Sequence, residues 1–515
     1  MELAAIWFGV ALAIAAIVIV WRATRRWSRV GIVLAMIAAG AAFVRPASRF
    51  FTRVAVAGPR VTDDGGYVGS GACRACHPSE HASWSRTYHR TMTQRGRDGV
   101  AITTGSHHMQ GYWTEDEHGA LHMLPYVYSF EEKKTIPRSE AFLEPPDAPQ
   151  HDVRWSSNCI ACHATAGRPH LDRESARPSA AELGIACEAC HGPGAAHVAR
   201  EHDPITRWRR VSGDIVNPKK LPPDRASAVC GQCHAYAFPR DEDGFFASGY
   251  AEAFRPGDAL ERSRILLTPS VLAHEVKVDT DARNLFWPDG TVRVGGREYN
   301  AMVLSACYLR GEGERKLTCM SCHSMHDSDP NEQLRKDTSV QNACISCHKM
   351  AANHSHHDDV ECVSCHMPKT SYALRYAIRS HRIESPTVSG AKPNACNLCH
   401  LKESVSWAAR EMTRLWGKPV ADVADSIPAS AYGLLMADAA ERVIWADAFG
   451  DAQAIAASGT DWERSLLDAA HEDPYAVIRF IAKRSAAKYP PSTKTIVDVD
   501  TLVAHRDNRD VYVAE

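Results

Sequence analysis

One pattern, Cys-x-x-Cys-His, recurs eight times along this chain, beginning at Cys73, Cys159, Cys187, Cys230, Cys319, Cys344, Cys362 and Cys396. It consumes sixteen of the 17 cysteines. A zinc ribbon explains paired cysteines but does not demand histidine next. Disulfides leave the histidine equally unexplained. Only 26 of the 515 residues are histidine, so eight adjacent histidines in eight motifs are no accident of composition.

Covalent haem accounts for every part of the pattern. Two thiols three residues apart share one face of a helical turn and reach the two vinyl groups of one porphyrin. The adjacent histidine supplies a nitrogen to the iron. The expectation is eight c-type haems. Their thioether anchors are Cys73, Cys76, Cys159, Cys162, Cys187, Cys190, Cys230, Cys233, Cys319, Cys322, Cys344, Cys347, Cys362, Cys365, Cys396 and Cys399. The first axial ligands are His77, His163, His191, His234, His323, His348, His366 and His400.

Eighteen histidines remain for at most eight second axial positions, so local context must select them. His326 follows a motif by three residues. His197 comes after Gly-Pro-Gly, which turns the chain back on itself. His89 closes the helical stretch after the first motif, and His381 ends "TSYALRYAIRSH". One of His356 or His357, with His357 preferred, comes from the "HSHH" run before the seventh motif. His107 and His108 are weaker candidates because a strand-like segment follows them. Histidine on both faces closes an iron to substrate and favours electron transfer.

These stretches resemble the multihaem c-type cytochromes related to cytochrome c nitrite reductase, octahaem hydroxylamine oxidoreductase and the small tetrahaem electron carriers. The resemblance rests on "YVGSGACRACHPSEHASWSRTYHRTM", "NCIACHATAG", "IACEACHGPGAAHV", "LTCMSCHSMH" and "CVSCHMPKTSYALRYAIRSH". It implies closely packed haems forming a continuous wire. The nitrite reductases usually carry lysine in the motif of the active haem, whereas all eight motifs here end in histidine.

Residues 3–21 form an uncharged run long enough to span a bilayer as a helix, and residues 30–44 form a shorter one. Arg22, Arg25, Arg26 and Arg29 between them predict a cytoplasmic loop. The expectation is a two-helix anchor over 1–44, a linker over 45–70, an octahaem domain over 71–400 and a helical, HEAT-like domain over 401–515. A signal peptide with an extra leader is the alternative for the N-terminal runs. Either way the haem domain is exported, with the anchor placing it on the periplasmic face of the inner membrane.

The expected fold class is mostly α with long loops, the haems serving as core. A small β-hairpin is expected from "GYWTED" and "GALHMLPYVYSF". About 41 residues per haem leave little room for a conventional core. After His400, helices are expected over 405–415, 431–449 and 474–489, forming either a surface for a protein partner or a cap over the last haem.

The charge balance of 59 basic to 61 acidic residues gives no reason to expect nucleic acid as a partner. The expected function is electron transfer between a membrane-bound donor and a periplasmic acceptor. The alternative is an oxidoreductase acting on a small nitrogen or sulfur compound at one open haem. Cys307, the cysteine outside the motifs, and Tyr308 beside it are the catalytic candidates. A buried free thiol is the plainer reading of Cys307.

Overall fold

The computed structural model describes residues 58–511, apart from 150, 174–176, 209–213, 275–281, 296, 338, 351–353, 373, 390, 421–424 and 493. Spacing decides the local structure at the motifs. Cysteines at i and i+3 with histidine at i+4 close one helical turn. The histidine amide accordingly donates to the first cysteine's carbonyl at His77 (2.9 Å), His323 (3.0 Å), His348 (3.0 Å) and His400 (2.8 Å). Longer helices carry other motifs. The fourth ends the helix Pro223–His234, whose first-turn proline needs no amide partner.

Between the first two motifs the chain forms a five-stranded antiparallel meander. Its strands, in spatial as in chain order, are β1 (Thr93–Arg95), β2 (Ile102–Thr104), β3 (Met109–Glu115), β4 (Leu121–Ser129) and β5 (Lys134–Pro137). The expected hairpin is its centre, β3 and β4, paired Gly111 to Val127 and Trp113 to Met123 around a bulge. The hairpin expectation was too small because β1, β2 and β5 are three or four residues long. Such short strands carry too little alternation to be read from sequence. Met109, Gly111 and Trp113 turn inward, and the Trp113 indole donates to Thr104 Oγ1 at 2.9 Å.

After the last motif the chain is helical: α1 (Val405–Trp416), α2 (Ala429–Leu435), α3 (Ala439–Ala448), α4 (Ala452–Ser458), α5 (Glu463–Ala470), α6 (Ala476–Ala486) and α7 (Val499–Ala504). The single helix expected over 431–449 is two helices. Asp438 breaks it by leaving helical geometry and capping α3, its carboxylate accepting from the Glu441 amide. Gly433 is required on α2, since a Cβ there would enter the Trp445 ring of α3.

Helices α2–α7 share one large apolar core that also takes in Leu143, Trp287, Val294, Leu398 and Leu401 from the motif-bearing region, while α1 buries Ala408, Ala409 and Met412 in a smaller cluster with Val388. That region itself holds only small, separate apolar clusters. The largest apolar packing thus lies beyond the motifs.

Ion pairs add to this apolar join. Lys369 Nζ reaches Asp447 Oδ2 at 2.7 Å, and Arg293 pairs with Asp438 in full burial. Deeper still, Arg442 Nε meets Asp473 Oδ2 at 2.8 Å with both side chains buried, and Arg506 stands 3.5 Å from the same carboxylate.

The anchored architecture is corrected. Among the described residues no helix is long and apolar enough to cross a membrane. The transmembrane helices and the inner-membrane location are therefore withdrawn; the apolar runs 3–21 and 30–44 that suggested them lie outside the described residues. Part of the 45–70 linker is structured: Arg60–Val61 pairs in parallel with Ser179–Ala180, and Ser70 begins the first motif helix.

Removing one partner of a buried ion pair strands the other charge. Arg442→Met is expected to destabilise the protein by about 3–5 kcal/mol, towards the low end because Arg506 remains. Chemical denaturation followed by tryptophan fluorescence measures it.

Candidate cofactor sites built on imidazole pairs

Six of the eight motif histidines face a second histidine ring. His77 stands 6.4 Å from His197, centre to centre, and His191 stands 6.3 Å from His326. His234 is 6.3 Å from His89, and His323 is 6.2 Å from His381. His366 and His354 are 6.0 Å apart, as are His400 and His357. Two imidazoles bound through nitrogen to opposite sides of one metal ion, at about 2 Å per bond, place their ring centres about 6 Å apart. All six separations suit a shared metal, and none is a van der Waals stack.

The outer nitrogens support the same orientation. His191 donates Nδ1–H to the Val216 carbonyl (2.7 Å), His323 to Glu332 (2.9 Å) and His366 to Glu384 (2.8 Å). His381 donates to the Arg379 carbonyl at 3.1 Å and His357 to that of Ser355 at 2.7 Å. A carbonyl can only accept, so Nδ1 carries the proton and Nε2 is left as the free donor of an electron pair. His234 differs in its acceptor, the partly exposed Glu298 carboxylate at 2.9 Å. At His197, the Nδ1 faces the Arg200 guanidinium at 3.0 Å instead. Burial pushes His89 down to about 4, which keeps its ring in the neutral, coordinating form.

Local structure delivers the distant members. Gly192 adopts φ 81°, ending the third motif's helix, and the next helix, Ala195–His202, carries His197 back to the first motif. Glu188, buried inside the third motif, accepts from the amides of Val68 (3.0 Å), Gly69 (2.8 Å) and Gly194 (2.7 Å). One carboxylate thereby fixes the first motif, the third motif and the return turn together.

The structure brings His89, His197, His326, His357 and His381 each opposite a motif histidine. His356 turns away, edge-on to Trp416. His354 was missed: it is the first member of "HSHH", and nothing in that run distinguishes three neighbouring histidines by chain position alone. His107 and His108 stack on each other at 3.8 Å between Tyr88 and Tyr376, away from any motif histidine. Among the described residues no histidine ring is paired in this way with His163 or His348.

Cys307 does not extend a long helix. Ser305 interrupts the expected one, leaving Glu298–Met302 and Ala306–Leu309. Burial raises the Cys307 thiol, which opposes the thiolate form a ligand would need. Tyr308 lies under Lys316 at 4.6 Å, partly buried. Neither residue meets a motif histidine ring. Every cysteine of the chain is free of disulfides.

Comparison with known proteins points the same way. The family model for cytochrome c552 matches residues 351–418, that for cytochrome c554 and c-prime matches 124–192, and that for the doubled CXXCH motif matches 312–353. The chain is 22% identical over 242 residues to a multiheme cytochrome MtrA of Shewanella baltica, covering 43% of this chain and 62% of the relative, so less than two thirds of that protein is spanned. The crystal structure of the outer cell wall cytochrome OcwA superposes with a TM-score of 0.52 at 18% identity, covering 82% of this chain and all of that one.

An anionic acceptor on the outer nitrogen makes an imidazole a stronger donor and stabilises the more highly charged ferric state. Glu298→Gln is therefore expected to raise the reduction potential of one haem, that of the fourth motif, and leave the rest in place. Spectroelectrochemical titration measures it.

Proposed function

We propose that this chain, a multihaem c-type cytochrome, carries eight covalent haems and passes electrons along them between a donor and an acceptor. The multihaem character is supported by the matched cytochrome families and the repeated motif; electron transfer along the haems and their count of eight belong to the proposal. The observation that carries the reading is the set of six imidazole pairs separated by 6.0–6.4 Å.

In this reading each motif's two cysteines hold a porphyrin by thioether bonds, and its histidine supplies one axial nitrogen. His197, His326, His89, His381, His354 and His357 supply the second nitrogen at the first, third, fourth, fifth, seventh and eighth motifs. Bound haem supplies one-electron redox chemistry. The chain's own contribution is to fix both imidazoles and so keep reorganisation small. At His191, His323, His366, His381 and His357 the outer Nδ1 bond to a backbone carbonyl restrains the ring's rotation.

A second reading has one observation in its favour. His163 and His348 have no imidazole opposite among the described residues, which leaves an axial position for a small nitrogen or sulfur compound. Burial, reinforced by the Arg297 guanidinium, pushes His163 down to about 4, so it too presents a neutral ring.

Intact mass and the pyridine haemochrome are expected to give eight haems per chain; six or fewer would defeat the count. His381→Met is expected to keep all haems and raise one potential, since methionine in place of histidine favours the ferrous state. For the second reading, a high-spin EPR signal is expected beside the low-spin ones. Purely low-spin spectra would remove it.

A further inference from the structure

Two arginines from distant parts of the chain converge beside the stretch that leads into the first motif. Gly65 and Gly66 both adopt positive φ, at 79° and 85°, and fold that stretch into a tight turn. A Cβ on Gly65 would meet Arg168 Nη2 at 3.3 Å, Arg255 Nη2 at 3.6 Å and the Tyr67 ring at 3.7 Å. Two guanidinium groups and a phenol therefore border one point, and the bare glycine leaves it room.

Each of these groups has hydrogen-bonding capacity left over. Arg168 is 7% exposed, and its Nη1 is buried with no hydrogen-bond partner. The carboxylate it faces, Glu252, is mostly exposed and stands 3.9 Å from Nε, beyond hydrogen-bond reach. Arg255 lies 5.2 Å over the buried Tyr67 ring and donates from Nη1 to the Tyr67 hydroxyl. That hydroxyl accepts from Arg255 and so keeps its own hydrogen for another acceptor.

The carboxylates of the neighbourhood are engaged elsewhere. Glu188 accepts from the amides of Val68, Gly69 and Gly194, Glu182 from that of Ser70, and Asp258 from that of Arg255 at 2.9 Å. Among the described residues, neither guanidinium has a carboxylate within hydrogen-bond distance. Two like charges this close, one of them buried, are costly without a counter-charge. Their planar forks of donors fit a carboxylate or a similar oxyanion.

We propose that Arg168, Arg255 and Tyr67 form a binding site for a carboxylate-class anion supplied from outside the polypeptide. The first three motifs all border it. Tyr67 lies six residues before Cys73, and Arg168 five residues after His163. Pro256, next to Arg255, stands against Gly192 at the end of the third motif's helix. The carboxylate can come from two sources, a propionate of a porphyrin held by one of these motifs or a free oxyanion from solution. The site itself stands on the guanidinium geometry; the porphyrin source rests on the haem reading above.

The test uses the wild-type holoprotein, crystallised without carboxylate, phosphate or sulfate buffers and then soaked in acetate. A porphyrin propionate oxygen within hydrogen-bond distance of the Arg168 guanidinium is expected in the unsoaked crystal and identifies the first source. Acetate at that position only after soaking, with calorimetry showing the same binding in solution and Arg255→Gln removing it, identifies the second. Acetate in the crystal without binding in solution would be an adventitious ion only and would overturn the site. Water or Glu252 as the sole partner of Arg168 in both crystals would overturn it as well. A cation beside a haem disfavours the ferric state. With the porphyrin source, Arg255→Gln is therefore expected to move one haem midpoint downward, and Arg255→Lys, which keeps the charge, to restore it. Midpoints unmoved by Arg255→Gln would overturn that source. Haem content measured on the same samples separates these outcomes from a failure of the haem reading. The wild-type crystals decide the site even if a variant fails to fold.

Discussion

The spacing of the imidazole pairs is the constraint around which the motif-bearing region is arranged. In every pair but one, the two rings come from segments well separated along the chain, and the apolar clusters between those segments are small. A haem held by two thioethers and two such rings is a cross-link as well as a redox centre. It closes loops whose entropy the local packing does not offset. Binding free energy there is folding free energy, as at structural metal sites generally. The C-terminal helices are the contrast, with a continuous apolar core of the ordinary kind.

Outer hydrogen bonds orient several of the rings in a region with little conventional core. Each Nδ1 bond to a carbonyl also uses backbone that would otherwise need a partner of its own. Where the acceptor changes, so does the chemistry. The carbonyls at His191, His323 and His366 are neutral, Glu298 at His234 is anionic, and His163 has none. Differences of potential along one wire need no difference in the axial ligand itself.

What could be read from the sequence follows from how local each signal is. The motifs are five residues long and carry their whole meaning in spacing, so cysteine and histidine positions were legible outright. Histidines whose rings stand opposite a motif ring could be picked where the chain gives a local reason, as with Gly-Pro-Gly before His197 or the short step to His326. His354 was not, because the choice among three neighbouring histidines is made by the fold around Trp416 and the eighth motif. The sheet was half-legible: the long strands β3 and β4 alternate, while the short ones borrow their conformation from them. Asp438 could have announced the break between α2 and α3, being a capping residue in the middle of a helical pattern.

The interleaving of partners has a temporal side. In the proposed ligation, a chain made from its N-terminus presents His89 long before the fourth motif, so that site would be complete as soon as His234 appears. The third motif is in the opposite position, since His191 waits for His326, and the first waits for His197. Glu188 bridges the delay: its three amide bonds gather the first and third motifs without needing anything downstream of Gly194. Maturation of this protein should therefore run out of sequence order, with the fourth site closing before the third, and the carboxylate acting as a temporary clasp while half-ligated sites await their second ring.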